Sequence, residues 1–194
     1  MRFYLTTLIA GLVTAAAPTH AQYTGNWTPG DVAKSRLSIS SAAPDAEFFQ
    51  KEMLTRPNGD QRDALLMGGH NPKTPGPIAW INYHTSRLKF SWSGGPMDTL
   101  YSLAPPFMNQ KARMSPDGRE TATLNTALTG GLETVEIVKG VVNFEGADQR
   151  ECAAWRTQKA TVSAAFWGYF CAAPGRSLNV ADIQQVMGAL TLSE

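Results

Sequence analysis

Cys152 and Cys171 are the only cysteines in the chain, and each lies in a strand-like run, residues 149–157 and 165–172, the second strongly aromatic. A bond between them would pin one antiparallel register. With Cys152 opposite Cys171, Ala154 faces Tyr169 and Arg156 faces Trp167 on the disulfide side. On the other side Ala153 faces Phe170 and Trp155 faces Gly168. A large indole against a glycine is a volume match, and Arg beside Trp permits a cation–π contact. Metal ligation and a reactive dithiol are the rivals. Two cysteines with no nearby His or further Cys make a poor zinc site, and there is no C-x-x-C spacing. Closing a loop of this length stabilises by roughly 3 kcal/mol in the chain-entropy model.

A disulfide needs an oxidising compartment, and residues 1–21 read as the signal that leads there. Arg2 supplies the positive end, residues 8–17 a short apolar stretch, Pro18 its break, and Thr19-His20-Ala21 the small residues before a cut ahead of Gln22. The stretch is too short to span a bilayer, and no other apolar run approaches the ~20 residues that spanning needs. No Cys near the cut offers a lipid anchor. The expectation is a signal peptide over 1–21, cleaved after Ala21, and a single globular domain over 22–194 located in the periplasm.

The chain has 194 residues, 17 Lys+Arg and 16 Asp+Glu, and Arg2 is the only charge in the signal segment. What remains has equal numbers of basic and acidic residues, which argues against nucleic-acid binding, since phosphate neutralisation needs a basic surplus. At 43% hydrophobic and 17% charged the chain is neither a disordered polymer nor a coiled coil.

Along the chain, residues 22–34 read as an extended lead-in pinned by Tyr23 or Trp27, and 36–40 as a short strand. Pro44-Asp45-Ala46-Glu47 opens a predicted helix with Phe49 and Met53 on one face, ended by Pro57 and Gly59. Residues 61–67 read as a further helical turn. Residues 70–77 form a Pro-rich loop, and 78–83 and 87–92 read as strands. The stretch 93–118 reads as irregular, with a turn at Ser115-Pro116-Asp117-Gly118. Gly130-Gly131 predicts a two-residue hairpin that pairs Leu124 with Ile137 and Thr126 with Val135. Residues 141–144 continue as strand into the cysteine hairpin. Asn179 and Asp182 are spaced as a near capping box, and Ile183, Val186, Met187 and Leu190 form one apolar stripe. The fold class expected is α+β: an antiparallel sheet with a C-terminal amphipathic helix packed on it and one disulfide.

Catalytic motifs are sparse. His70, in the Pro-rich loop, and His84, at a predicted strand end, are the histidines left after processing. They offer a two-His metal site or a catalytic base, against the simpler reading as two surface histidines. Ser86-Arg87-Leu88-Lys89 has S-x-x-K spacing but lies in a strand pattern and lacks the S-D-N and K-T-G partners. Asn58, Asp60 and Asp63 resemble a calcium loop without its bidentate Glu, and read as a solvated turn. Trp80, Tyr83, Trp92, Trp155, Trp167 and Tyr169 read as core. No catalytic, cofactor or metal residue is assigned from sequence.

Glu151-Cys152-Ala153-Ala154-Trp155, then Gly168-Tyr169-Phe170-Cys171-Ala172-Ala173-Pro174-Gly175, then a short amphipathic helix, resembles small exported proteins of alphaproteobacteria. The resemblance covers about the C-terminal quarter of the chain. It implies a periplasmic location and a disulfide, and carries over no catalytic residue. The functional expectation is a non-enzymatic periplasmic binding or envelope-associated accessory protein, with another envelope protein or surface assembly as partner and no cofactor. The alternatives are a small hydrolase using His70 or His84 as base, and a small-ligand carrier with a pocket between sheet and helix.

Overall fold

In the computed structural model Cys152 and Cys171 are bonded, with Cα atoms 4.0 Å apart, across the antiparallel pair β8 (Arg150–Thr157) and β9 (Thr161–Cys171). The register is the one the cysteines predict: Ala153 opposite Phe170, Ala154 opposite Tyr169, Trp155 opposite Gly168 and Arg156 opposite Trp167. The structure describes residues 27–41, 46–91, 112–126, 131–157 and 161–193. The signal segment, Tyr23, Trp92 and most of the stretch 93–118 lie outside them.

The hairpin sits inside an eight-stranded antiparallel sheet of order β1-β3-β4-β5-β9-β8-β7-β6. The other strands are β1 (Thr28–Pro29), β3 (Gln50–Thr55), β4 (Gln61–Met67), β5 (Ile78–Ser91), β6 (Ala112–Thr126) and β7 (Gly131–Phe144). A second, two-stranded sheet pairs β2 (Leu37–Ile39) with β10 (Leu190–Leu192). The one α-helix among the described residues, α1 (Val180–Ala189), starts where the sequence predicts, with the Asn179 amide donating to Asp182 Oδ2 at 2.8 Å. Ile183, Val186, Met187 and Leu190 are buried as one stripe against Leu65, Ile81, Ile137, Trp155 and Phe166 of the large sheet. An antiparallel sheet, one C-terminal helix and a disulfide is the α+β arrangement in outline.

Both faces of the central strands are buried. The face opposite α1 carries Ala64, Trp80, Cys152, Ala154, Ala165, Trp167, Tyr169 and Cys171. The aromatics Trp80, Tyr83, Trp155, Trp167 and Tyr169 are core, as expected.

Several expectations are corrected. Where a helix opening at Pro44 and ended by Pro57 was expected, the described residues from Ala46 form a short 3-10 turn, Ala46–Phe48, followed by β3, and the helical turn over 61–67 is β4. Ala64-Leu65-Leu66-Met67 has good helix formers, but β4 lies between two strands and is buried on both faces, so tertiary packing overrides propensity. The Gly130-Gly131 hairpin has a different register, with Leu124 opposite Glu133 and Thr126 opposite Gly131. Gly131 belongs to the ladder, opposite Thr126, and residues 127–130 lie outside the described residues. Ser115-Pro116-Asp117-Gly118 is not a turn but an irregularity within β6, where pairing shifts between Pro116 and Gly118. β6 is an edge strand, where a residue lacking an N–H is tolerated. The two strands expected at 78–83 and 87–92 form one strand, β5, with its own irregularity between Thr85 and Phe90.

The disulfide is fully buried, both cysteines being 1% exposed or less. Replacing both with Ala is expected to lower unfolding free energy by about 2–4 kcal/mol. Urea denaturation of the double variant checks this, and an unmoved midpoint would refute it.

Candidate functional site

The β3–β4 connection organises the most chemically varied part of the molecule. Arg56-Pro57-Asn58-Gly59-Asp60 forms a tight hairpin turn in which Gly59 has φ of 87°, a left-handed conformation that glycine adopts without strain. The Gly59 amide donates to the Arg56 carbonyl and the Arg56 amide to the Asp60 carbonyl, both at 2.9 Å. The turn carries Asp60 to β5, where the Ser86 hydroxyl donates to its Oδ1 at 2.8 Å. Asn58 Nδ2 donates to its Oδ2 at 3.0 Å, and Arg56 lies 3.8 Å away. Asp60 is buried, so the expected solvated turn is corrected. Asp63 is separate and structural: fully buried, it accepts from the Arg36 amide and from Gln61, and pairs with the Arg36 guanidinium at 3.7 Å, which ties β2 to β4.

Directly across β4–β5, Arg62 faces His84, and on the far side of His84 β9 presents Ala165. Trp27, at the end of the lead-in, closes over this pair. Its ring meets the His84 ring edge-on, with centroids 5.2 Å apart, between the guanidinium groups of Arg56 at 4.3 Å and Arg62 at 4.8 Å. Arg62 also lies 5.7 Å from the Trp167 ring centre, and Trp167 meets Trp80 at 4.9 Å in a T. Arg62 thus joins Arg156, which faces Trp167 across β8–β9 as the cysteine register predicts. Arg156 pairs with Glu136 at 3.7 Å. Across β5–β9, Asn82 faces Trp167. Both are buried, and among the described residues neither the Asn82 amide nor the Trp167 indole N–H has a hydrogen-bond partner.

His84 is 6% exposed, which corrects the surface reading. Its pKa is pushed down to about 3, first by burial and then by Arg62 and Arg56, against an upward pull from Asp60. It is therefore neutral near pH 7, and its nitrogens are poor proton acceptors compared with an ordinary imidazole. Ser86 directs its hydroxyl to Asp60, so the Ser, His and Asp brought together here are not wired as a nucleophile, base and orienting acid. The patch is closed, with Arg62, Asn82, His84 and Trp167 all buried. It is poorly built to move protons.

Elsewhere the sequence candidates are dispersed. His70 lies in a 3-10 turn, Gly68–His70, before β5. Among the described residues no three His, Cys, Asp or Glu side chains converge on a metal-binding geometry. Ser86 and Lys89 are both in β5, so the S-x-x-K spacing is not on a helix. Among the described residues, apolar side chains of α1 and of the large sheet pack together in one cluster. Two open depressions, about 580 and 520 Å³, adjoin each other at Asp148 and Pro174 at one end of the sheet. Between them Arg150, 1% exposed, donates to the carbonyls of Pro72, Thr74, Gly76 and Ala172 and gives the Pro-rich loop its shape.

Sequence reading missed Arg56, Arg62 and Arg150. The available signal for the first two was Asn58-Gly59, a strong hairpin dipeptide. Read that way, it places Arg56 and Arg62 on either side of one turn. No family model matches the chain, and no curated protein or solved structure is similar to it.

Proposed function

We propose that this is an exported periplasmic protein that acts by binding, as an envelope-associated factor or the accessory subunit of a surface assembly. The buried Cys152–Cys171 bond supports an oxidising compartment, as do the signal-like residues 1–21 and the C-terminal resemblance. The observation that carries the binding half is the polar strip at Asn82 and Trp167. These buried groups have hydrogen-bonding capacity that the described residues leave unused, and the Trp167 ring lies 5.7 Å from Arg62, which, like Arg56, packs on the Trp27 ring. Buried polar groups are costly when unpaired, so such a strip is better explained by something it receives than by stability. The hydrolase alternative through His84 is disfavoured by its low basicity.

Native mass spectrometry of protein released gently from its own periplasm tests this reading. The expected result is a chain cleaved after Ala21, oxidised at the two cysteines, and carrying a retained small molecule or protein. A bare oxidised monomer, together with esterase or peptidase activity abolished in His84→Gln, would replace binding with hydrolysis.

A further inference from the structure

The segment carrying Trp27 is held far less firmly than the groups it covers. β1 contributes two ladder positions, Thr28 opposite Thr55 and Pro29 opposite Leu54, and Pro29 has no N–H to give. The Gly30 amide adds one bond to the Met53 carbonyl at 2.8 Å, and the exposed Thr28 hydroxyl adds long contacts to the Thr55 carbonyl at 3.3 Å and hydroxyl at 3.4 Å. By contrast His84 is fixed within β5, which pairs with β4 on one side and β9 on the other at that position. We propose that the Trp27 segment is a proton-operated strap: when His84 takes up a proton from solvent, Trp27, Thr28 and Pro29 lift from the sheet while the rest of the fold stays closed.

The surroundings of His84 give the direction. β4 presents Arg62, the β3–β4 turn presents Arg56 and Asp60, β9 presents Ala165, and the strap presents the neutral Trp27 ring. Among the described residues a protonated His84 is then a third cation beside two guanidinium groups, facing one carboxylate that already accepts from Ser86 and Asn58. Admitting water is the relief, and the strap is the weakest wall. The sign follows from linkage. Folding lowers the pKa of His84 from 6.5 to about 3, so the strap is most firmly closed above about pH 6.5 and loosens as pH falls towards 3. Opening uncovers His84 and Arg62, on which the Trp27 ring rests. This inference is independent of whether the protein binds a ligand.

Amide hydrogen exchange followed by NMR, expressed as protection factors, tests it. Between about pH 7 and pH 5 the protection of the Gly30 amide is expected to fall on the order of twenty-fold, while amides of the β5–β9 ladder keep theirs. In His84→Gln, or in His84→Phe should Gln fail to fold, the Gly30 response should flatten. Three results would each overturn the strap: constant Gly30 protection, loss of protection at Gly30 and the β5–β9 ladder together, or the same fall in the His84 variants.

Discussion

Gly168→Ala is expected to destabilise the fold by about 3 kcal/mol or more and to lower the melting temperature by roughly 10 °C. A Cβ built at Gly168 would overlap the carbonyl oxygen of Trp80 and lie 3.0 Å from the Ile81 Cα and 3.1 Å from the Trp155 ring. The first two are backbone atoms of the neighbouring strand, so no rotamer change relieves the overlap. β5 and β9 would have to separate at the centre of the sheet, where Ile81 faces Gly168. Trp155 occupies the space on the other side, since it faces Gly168 across β8–β9 and stacks with Phe166 at 6.4 Å. Gly188 is the control. It lies in α1, and a Cβ there would meet nothing within 4 Å, so Gly188→Ala is expected to raise stability by about 0.5–1 kcal/mol through helix propensity. Thermal and urea unfolding of the two variants read both effects. A Gly168→Ala protein as stable as the parent would mean that β5 and β9 do not approach as closely as this register requires.

That glycine also shows what is legible in the sequence. The pairing of Trp155 with Gly168 is readable because a covalent bond fixes one register, and a side-chain period of two carries it along both strands. α1 is readable because its cap, its stripe and its length are all local. β3 and β4 are not. Met53, Leu65 and Met67 are acceptable in either state, and β4 shows no alternation because both of its faces are buried. The candidate site depends on those two strands. Arg62 meets His84 only because β4 pairs with β5, and Trp27 meets both only because the lead-in returns along β3. No short motif encodes such a constellation. His84 reads as a surface residue as long as its strand is given one neighbour instead of two.

Arg150→Met should expose the other dependence of this fold on a single non-local side chain. Arg150 follows closely after Glu145 and Asp148 and opens β8. It is buried, and its two terminal nitrogens reach four main-chain carbonyls: Pro72, Thr74 and Gly76 in the Pro-rich loop, and Ala172 just beyond β9. Burial pushes its pKa down, opposed by Asp148 and Tyr169. The guanidinium remains the donor, because no other side chain presents a fixed planar fork of N–H groups. The loop thus lacks a sheet partner of its own and is shaped around a cation. With methionine at position 150 the stem volume is largely kept, but the carbonyls lose their donors. Those that water reaches recover part of the loss, and the Ala172 bond, which is buried, does not. The expected cost is about 3–4 kcal/mol of global stability. Lysine restores the charge without the fork and should recover less than half. A local readout separates this clamp from a general packing defect. Lys73 lies within the loop and is followed by Thr74, so native-state trypsin cleavage after Lys73 should accelerate in Arg150→Met well beyond any change in cleavage after Arg119, an exposed basic residue far along the chain. Equal acceleration at both sites would mean that Arg150 contributes only to overall stability and does not hold the loop.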